Sequence, residues 1–308
     1  MISFLIPNYN YVCVDLVRDL TRQGEQLRAE QPVAFDFEVV VADDASPRRE
    51  TVEANRAINA LPRCRYVERT QNVGRAHLCN WLIEEAKFDC IVIIDSDAAV
   101  CTPDFVRRYW EESDTADVVC GTLRNPEGGE PRGCELRYRY EQHGMKHRRA
   151  ALSNEANAYW QLSTFNLLLH RSALGTLRFD ERCREYGYED ALLGLELERR
   201  GISLRHLDNP LVHTGIDRNA SFLQKTETAL RTLSLLEGPM QERAQVARAE
   251  RRLRALRLDG VACALFRLAR GRLRRHLCGH HPSLFLFNLY KLGFYTTLRR
   301  RAGAEAHL

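Results

Sequence analysis

The chain has 308 residues, of which 44% are hydrophobic and 28% are charged, and its formal net charge is +4. This ordinary soluble composition allows one substantial core with a small appendage. No run of about eighteen apolar residues is present, which excludes a membrane-spanning helix, and the first ten residues lack the basic leader of a signal peptide. We therefore expect a cytoplasmic protein.

The ten cysteines are scattered along the chain and form no CxxC pair. Four of them lie within periodic apolar segments: Cys13, Cys79, Cys90 and Cys120. We expect these to be reduced core residues rather than disulfides or zinc ligands. The segment HLCGHH at 276–281 mixes His and Cys, but no second ligand pair at zinc-like spacing accompanies it, so a metal there is disfavoured.

The first hundred residues alternate short apolar runs with amphipathic stretches. The runs predict strands and the stretches predict helices. Strands are predicted at 2–7, 37–42, 64–69 and 90–94, and helices at 11–23, 47–60 and 72–86. Strands that alternate with helices indicate an α/β fold with a parallel, doubly wound sheet.

The loop that follows the first strand, residues 6–12, contains no glycine. A dinucleotide-binding turn needs G-x-G-x-x-G so that the backbone can approach a pyrophosphate, and a P-loop needs GxxxxGK[ST]. Neither pattern is present here, which argues against an NAD enzyme and against a P-loop enzyme. A divalent cation held by carboxylates is the remaining obvious way to bind a phosphate-bearing ligand.

The apolar strand Cys90–Ile94 ends in two acids, Asp95 and Asp97, one residue apart. The carboxyl ends of strands form the ligand-binding crevice of an open α/β sheet. Residues i and i+2 of an extended chain point to the same side, so both carboxylates can face one ligand. The alternative is that one of them caps the next helix or stabilises a turn.

Five motifs follow one another along residues 1–215: IPNYN at 6–10, DDAS at 43–46, QNVGRAHLCN at 71–80, DSD at 95–97 and GYEDALLGLELERRG at 187–201. This series resembles the inverting glycosyltransferases of family 2, the GT-A enzymes that use nucleotide-sugar donors. The resemblance implies a Rossmann-like, mostly parallel central sheet with flanking helices in residues 1–230, followed by a helical extension in 231–308. The stretch FNLLLHRSAL at 165–174 resembles the bacterial branch that builds surface glycans.

The resemblance implies that the first two strand ends hold the nucleotide. Pro7 and Tyr9 would flank the base or ribose, and Asp43 would accept a hydrogen bond from a base N–H. Because a carboxylate only accepts hydrogen bonds, it suits uracil, guanine or thymine, and the expected donor is UDP-, GDP- or dTDP-linked. A simple turn is the alternative for Asp43 and Asp44.

Further donor-binding residues are implied by the third and fourth motifs. Asn72, Gly74 and Arg75 match a stretch whose backbone and cation lie near the nucleotide, and Asn80 would approach the base. Ser96, between the two acids, belongs to the same set. For Arg75 the alternative is a solvated residue at the start of a helix.

The resemblance also implies a Mn²⁺ or Mg²⁺ site. Asp95 would address the ribose and the metal shell, and Asp97 would ligate the ion that bridges the diphosphate. His213, in LVHTG, matches a position that supplies a further ligand. The ion would neutralise charge on the departing nucleoside diphosphate. A structural histidine is the alternative for His213.

Inverting transfer is a single displacement, and it needs a carboxylate that takes the proton of the attacking hydroxyl. Glu189 and Asp190 match the family's ED motif; Asp190 is the expected base, and Glu189 would brace the site. Their alternative role is to complement the dipole of the helix that they begin. The acceptor is expected to be a glycan or a lipid-linked saccharide, and the segment 124–149 is predicted to be a mobile loop on the acceptor side.

The last part of the chain is strongly basic. Residues 241–308 carry 15 Lys and Arg against 4 acids, about +11, which leaves about −7 for residues 1–240. Helices are predicted at 243–260, 261–277 and 282–301. The last carries Phe285, Phe287, Leu289, Tyr290, Leu292, Phe294 and Tyr295, and it is bounded by Arg299 to Arg301.

Apolar faces bordered by arginines suit an anionic membrane, so residues 243–301 predict peripheral attachment to its inner face. Nucleic acid is not expected, because no binding module accompanies the charge. The alternative is a helical cap that packs on the catalytic domain or on a second subunit. For the whole protein, the rival functions are a sugar-phosphate nucleotidyltransferase and a nucleotide-sugar-binding scaffold without catalysis.

Overall fold

The computed structural model describes residues 1–151, 158–181, 187–236 and 238–305. Within these ranges the strands are β1 Ile2–Asn8, β2 Phe37–Asp43, β3 Cys64–Glu68, β4 Cys90–Ile94, β5 Ala98–Val100, β6 Val118–Arg124, β7 Asn166–His170 and β8 Leu204–His213. The helices are α1 Val14–Glu30, α2 Arg49–Asn55, α3 Arg75–Glu85, α4 Phe105–Glu112, α5 Glu135–Ala151, α6 Arg171–Leu174, α7 Glu189–Arg200, α8 Asn219–Leu235, α9 Pro239–Arg243, α10 Gln245–Ala255, α11 Asp259–Leu277 and α12 Leu284–Glu305.

The described strands form one sheet in the order β3-β2-β1-β4-β7-β6-β8-β5. The first four strands of the chain pair in parallel, as predicted, whereas β7 runs antiparallel to both β4 and β6. The register sets Asn8 beside Asp43, and Asp43 beside Glu68. The carboxyl ends of β1, β2 and β3 therefore lie level at one edge of the sheet.

Apolar side chains cover both faces of this sheet. Since side chains alternate along a strand, Phe4 and Ile6 join one core cluster and Leu5 joins the other. Every residue of β1 and of β4 is buried, which is typical of central strands covered on both faces. Cys13, Cys79, Cys90 and Cys120 are buried free thiols, which confirms their expected core role.

Contacts divide the chain into two compact units. Unit 1 comprises Met1–Glu127, Met145–Arg184 and Glu189–Gly215, and unit 2 comprises Gly128–Gly144, Glu185–Tyr188 and Ile216–Leu308. Unit 1 holds the sheet. The core of unit 2 is built largely from α8, α11 and α12, with Phe222, Phe266, Phe287, Tyr290 and Phe294 among its members. The boundary predicted between residues 230 and 231 stays a prediction.

A buried polar cluster joins three separate parts of unit 2. The Asn219 amide donates to Glu135 Oε2 at 2.7 Å and to the Gly279 carbonyl at 3.0 Å, and its oxygen accepts from Leu136 N at 2.8 Å. Glu135 Oε1 accepts from Gly133 N at 3.0 Å. The starts of α5 and α8 and the turn before α12 are thereby held together.

The structure corrects two expectations. Most of the segment 124–149, predicted to be a mobile loop, belongs to α5. The aromatic residues of 282–301, predicted to embed in a membrane, are largely core residues: Phe287, Tyr290, Phe294 and Tyr295 are buried in unit 2, while Phe285 and Leu289 are exposed. In the described part of the chain, no helix has the length and hydropathy needed to cross a membrane.

Candidate active site

The end of β2 supplies the first acid of the site. Asp43 is buried, and its carboxylate accepts from Asn8 Nδ2 at 2.9 Å, from Ser46 N at 2.8 Å and from Ser46 Oγ at 2.7 Å. These donors orient the carboxylate. A cavity of about 280 Å³ lies beside it, lined by Asp43, Ala45, Ser46, Arg49, Val52, Glu53, Arg56, Glu68 and Arg69. Asp43 therefore lines this cavity, and its carboxylate keeps acceptor capacity beyond these three hydrogen bonds.

The neighbouring Asp44, which was expected to stabilise a simple turn, connects β2 to the start of α3. Its carboxylate accepts from Val73 N and Gly74 N, both at 2.9 Å, and its carbonyl accepts from Asn72 Nδ2 at 3.0 Å. Gly74 has a φ of 86°, a conformation that side chains disfavour. The Asn72 amide and Gly74 backbone thus shape the loop that precedes Arg75.

Arg75, the first residue of α3, pairs with Asp95. Its Nη2 lies 2.5 Å and its Nε 3.2 Å from Asp95 Oδ1, and Nη2 also donates to the Thr164 carbonyl at 3.2 Å. Arg75 is therefore a half-buried arginine with a carboxylate partner. Burial raises the pKa of Asp95, against the effect of Arg75, and the nearby negative charges of Asp97 and Asp190 raise it further. Three acids and one arginine therefore share one electrostatic environment.

Asp97 and His213 meet because β5 pairs with β8, with Ala98 opposite His213. His213 Nε2 lies 3.1 Å from Asp97 Oδ2, and the imidazole is buried. The Thr214 backbone N–H and hydroxyl donate to the Asp97 carbonyl at 2.8 and 2.7 Å. A Cβ on Gly215 would lie 2.4 Å from Asp97 Oδ2, so only glycine leaves room for this carboxylate.

These two residues bring together a carboxylate oxygen and an imidazole nitrogen, whereas Asp95 is engaged with Arg75. Among the described residues, no group of three or more His, Cys, Asp or Glu is arranged to hold a metal ion. Of the three predicted metal ligands, two therefore lie side by side, Asp97 and His213. Such a pair suits an ion whose remaining ligands are phosphate oxygens and water.

Asp190 is the second residue of α7 and directly follows Glu189, the first residue of that helix. Thr164 holds both oxygens of the Asp190 carboxylate: the hydroxyl donates to Oδ1 at 2.5 Å and the backbone N–H to Oδ2 at 3.2 Å. Because the Thr164 carbonyl also accepts from Arg75, one residue links the Asp190 carboxylate to the Arg75–Asp95 pair. Sequence reasoning missed Thr164, which belongs to none of the five motifs.

The other predicted residues occupy different surroundings. Tyr9 is exposed, Pro7 is buried within β1, and Ser96 is buried between the two acids. Asn80 donates to the Phe179 carbonyl at 3.0 Å and to Glu181 Oε1 at 2.9 Å, and its oxygen accepts from Phe179 N at 2.8 Å. The Asn80 amide is thus engaged in a structural role. Residues 182–186 of the stretch before the ED motif lie outside the described residues.

Comparison with known proteins places this geometry in context. The family model described as glycosyl transferase family 2 matches residues 3–175, more than half of the chain. No curated protein matches the chain.

Solved structures resemble the chain at low identity. The mannosyltransferase PcManGT from Pyrobaculum calidifontis, in complex with GDP-Man and Mn²⁺, is 16% identical with a TM-score of 0.56, over 97% of this chain and 86% of that one. Glucosyl-3-phosphoglycerate synthase from Mycobacterium tuberculosis, in complex with Mn²⁺, UDP and phosphoglyceric acid, is 20% identical with a TM-score of 0.51, over 78% and 80%.

A third similar structure, S. aureus TarS 1–349 in complex with UDP-GlcNAc, is 15% identical with a TM-score of 0.50, over 98% of this chain and 92% of that one. The chain spans 40% of the length of the longer S. aureus TarS structure. At these identities the likeness concerns the fold, and it confirms the predicted fold class.

Proposed function

The chain belongs to glycosyl transferase family 2, and from this membership we propose that it moves a sugar from a nucleotide-sugar donor to a hydroxyl of a glycan or lipid-linked saccharide, with inversion. The observation that carries the proposal is the link through Thr164, which holds the Asp190 carboxylate and contacts the Arg75–Asp95 pair. The proposed base and the proposed donor-binding pair are thereby connected through one residue. Both are needed for a single displacement at the anomeric carbon.

The nucleotide would bind at the carboxyl ends of β1 and β2. The cavity beside Asp43 offers carboxylates and arginines in its lining, which suits a base with N–H donors. Solved structures with this fold contain GDP-Man, UDP or UDP-GlcNAc. For this chain we propose a UDP-, GDP- or dTDP-linked sugar. Pro7, Tyr9 and Ser96 stay proposed donor contacts.

Asp97 and His213 would hold the divalent cation. Their donor atoms are 3.1 Å apart and comprise one oxygen and one nitrogen, a set that Mn²⁺ accepts and that diphosphate oxygens can complete. When bound, the ion supplies Lewis-acid neutralisation of the leaving diphosphate. Arg75 contributes a fixed positive charge beside Asp95, and this charge does not depend on the ion. Two of the structures with this fold contain Mn²⁺.

Asp190 would act as the base. Its carboxylate is held at both oxygens by Thr164, so the side chain is oriented before an acceptor arrives. It would take the proton of the acceptor hydroxyl as the hydroxyl oxygen attacks the anomeric carbon and the bond to the nucleoside diphosphate breaks. Glu189, at the first position of the same helix, would brace this end of α7.

The test is transfer and donor hydrolysis over a panel of nucleotide sugars with Mn²⁺, for the wild type and for Asp190→Asn. We expect the substitution to lower kcat about a hundredfold or more while nucleoside diphosphate binding persists. Glu196→Gln, which changes a carboxylate on the same helix that is paired with Arg199, is the matched control. Equal kcat for Asp190→Asn and the wild type would remove Asp190 as base.

The same assay separates the rival functions. A sugar-phosphate nucleotidyltransferase would consume a nucleoside triphosphate and release pyrophosphate, whereas a glycosyltransferase releases nucleoside diphosphate. A scaffold without catalysis would bind nucleotide sugar and turn over nothing. Inversion is read directly from the anomeric configuration of the product by NMR.

A further inference from the structure

The outer surface of α11 exposes apolar side chains that the fold does not cover. Five large apolar residues are exposed within a stretch of thirteen: Leu256 (68%), Leu258 (45%), Val261 (55%), Leu265 (61%) and Leu268 (81%). Isolated exposed apolar residues are normal on a protein surface, whereas a run of this density marks a contact site.

Helical geometry sets the last three of these residues on one face. Val261, Leu265 and Leu268 have the spacing i, i+4 and i+7, which aligns them along one stripe. The opposite face carries the buried residues Cys263, Phe266 and Leu277. The helix is therefore fixed in unit 2 by its inner face, and its stripe points to solvent.

Two interactions on the inner side keep the helix in this rotation. Glu227 of α8 is buried, and its carboxylate lies 3.4 Å from Arg270 and 3.8 Å from Arg274. The Tyr290 hydroxyl of α12 donates to the same carboxylate at 2.5 Å. Since the ion pairs bind the inner edge of α11 to α8, turning the stripe inward would leave the buried Glu227 carboxylate without its arginine partners on α11.

The apolar stripe is bordered by arginines. Arg272 and Arg275 continue the stripe along the same face, and Arg257 and Arg267 are also exposed. In the described part of the chain, none of these four arginines forms an ion pair. Residues 252–275 contain eight arginines and a single acid, Asp259, which is paired with Arg300. The surface thus combines apolar side chains with uncompensated positive charge.

We propose that the α11 outer face, defined as Val261, Leu265, Leu268, Arg272 and Arg275, together with the turn residues Leu256 and Leu258, binds an anionic membrane surface. Apolar side chains enter the boundary between headgroups and acyl chains, and the arginines contact lipid phosphates. The apolar component distinguishes this surface from a purely electrostatic one. The attachment is peripheral and is weakened by salt.

This inference relocates the membrane contact that the sequence assigned to the aromatic residues of α12. Most of those residues are buried in unit 2. Five of the seven exposed large apolar residues in the described part of the basic tail lie on α11 and on the turn that precedes it, and the other two are Phe285 and Leu289 of α12. The inference does not depend on the proposed enzymatic activity. It requires only that the full chain folds.

The test is co-sedimentation of the full chain with vesicles of phosphatidylglycerol and phosphatidylcholine, compared with vesicles of phosphatidylcholine alone. We expect the wild type to bind the anionic vesicles and to lose binding as salt rises. Leu265→Gln with Leu268→Gln is expected to lower the partition coefficient about tenfold or more, because two apolar side chains no longer enter the interface. Arg272→Gln with Arg275→Gln is expected to lower binding and its salt dependence.

The matched control is Val33→Gln with Phe285→Gln, which removes two exposed apolar side chains elsewhere. It should bind as the wild type does, and circular dichroism and Tm should show that every variant folds. Donor hydrolysis is expected to be unchanged in the leucine variant, which separates this test from that of the proposed activity.

Four results would overturn the proposal. The leucine variant could bind vesicles as the wild type does, or the wild type could bind neutral and anionic vesicles equally. The control variant could lose binding, which would move the contact away from α11. The wild type could ignore vesicles while light scattering shows a dimer that the leucine variant dissociates, which would identify a second copy of the chain as the occupant.

Discussion

Thr164 holds the Asp190 carboxylate at two points, with its hydroxyl 2.5 Å from Oδ1 and its backbone nitrogen 3.2 Å from Oδ2. The two residues are 26 positions apart in the chain, and the second lies at the start of α7. A base held in this way is oriented before the acceptor binds. Thr164 is therefore a positioning residue for the proposed chemistry.

Thr164→Val should lower kcat about tenfold with little change in the KM of the donor, because the lost hydroxyl releases one carboxylate oxygen while the donor contacts remain. Thr164→Ser should restore most of the rate. Thr115→Val, which removes an exposed hydroxyl that donates to the Glu112 carbonyl, is the control. Steady-state kinetics measure kcat and the KM of the donor for each variant. A raised KM at unchanged kcat would show that Thr164 acts in binding instead.

Arg75→Gln should make nucleoside diphosphate binding more sensitive to acid. Burial and the charges of Asp97 and Asp190 raise the pKa of Asp95, and Arg75 opposes that rise. Without the guanidinium the pKa of Asp95 rises further, so the carboxylate becomes protonated at a higher pH. The acid limb of binding, followed by calorimetry with Mn²⁺ present, should move to higher pH in the variant.

Arg18→Gln changes an exposed arginine paired with Asp15 and serves as the control for that measurement. An acid limb that stays at the same pH in Arg75→Gln would show that Asp95 does not govern binding.

Gly215→Ala should weaken Mn²⁺ binding about tenfold, because the new Cβ would lie 2.4 Å from Asp97 Oδ2 and displace the carboxylate from His213. Gly271→Ala is the matched control, since no atom lies within 4 Å of the position of its Cβ. Paramagnetic resonance of bound Mn²⁺ in the presence of nucleoside diphosphate measures the affinity. Equal affinities in the two alanine variants would separate Asp97 from the metal.

Glu135→Gln should destabilise the protein at neutral pH but not in strong acid. Although burial acts in the opposite direction, the backbone N–H groups of Glu135 and Gly133, the Asn219 amide and His280 lower the pKa of Glu135 from 4.5 to about 2. A carboxyl whose folded pKa is lowered stabilises the fold above the unfolded pKa and loses that contribution as pH falls. The window here is therefore from pH 4.5 down to about 2.

The expected loss of unfolding free energy at pH 7 is about 1–3 kcal/mol. Chemical denaturation of the two proteins across this pH range measures it. Glu130→Gln, an exposed acid in the same unit that pairs with Arg139, is the control. A gap between Glu135→Gln and the wild type that stays constant across the range would show that the loss comes from packing and not from the carboxylate charge.

Local patterns predicted the sheet well because the strands of a buried parallel sheet are short apolar runs with polar ends. They also drew attention to Asp97, which follows the buried strand β4, whereas Asp190 and His213 were implied only by the resemblance to the family. Local sequence patterns did not predict the hydrogen-bond partners of the site residues. Thr164 reaches Asp190 and Arg75 through tertiary packing, and Asp44, for which a turn was expected, accepts a hydrogen bond from Val73, which is 29 residues away in the chain.

The basic tail shows a different limit of sequence reasoning. An apolar helix face must be covered, but periodicity does not say whether protein or lipid covers it. In α12 the aromatic rings pack against other helices of unit 2, as Tyr290 does against Phe266 of α11 at 5.3 Å between ring centroids. Most of the uncovered apolar residues belong to α11 and the turn before it, where the mixture of leucine and arginine is less conspicuous in the sequence.

Unit 2 gathers residues from three separate stretches of the chain, and this interleaving governs how the protein can be engineered. A version shortened after Leu236 would keep Leu136, Phe222, Leu230 and Leu233 while discarding the aromatic rings that cover them. Such a fragment would expose the apolar surface that these rings cover, and it would aggregate. The basic helices therefore cannot be removed as an independent unit. Exchanging them with those of a relative would require matching the segments around residues 136 and 188 as well.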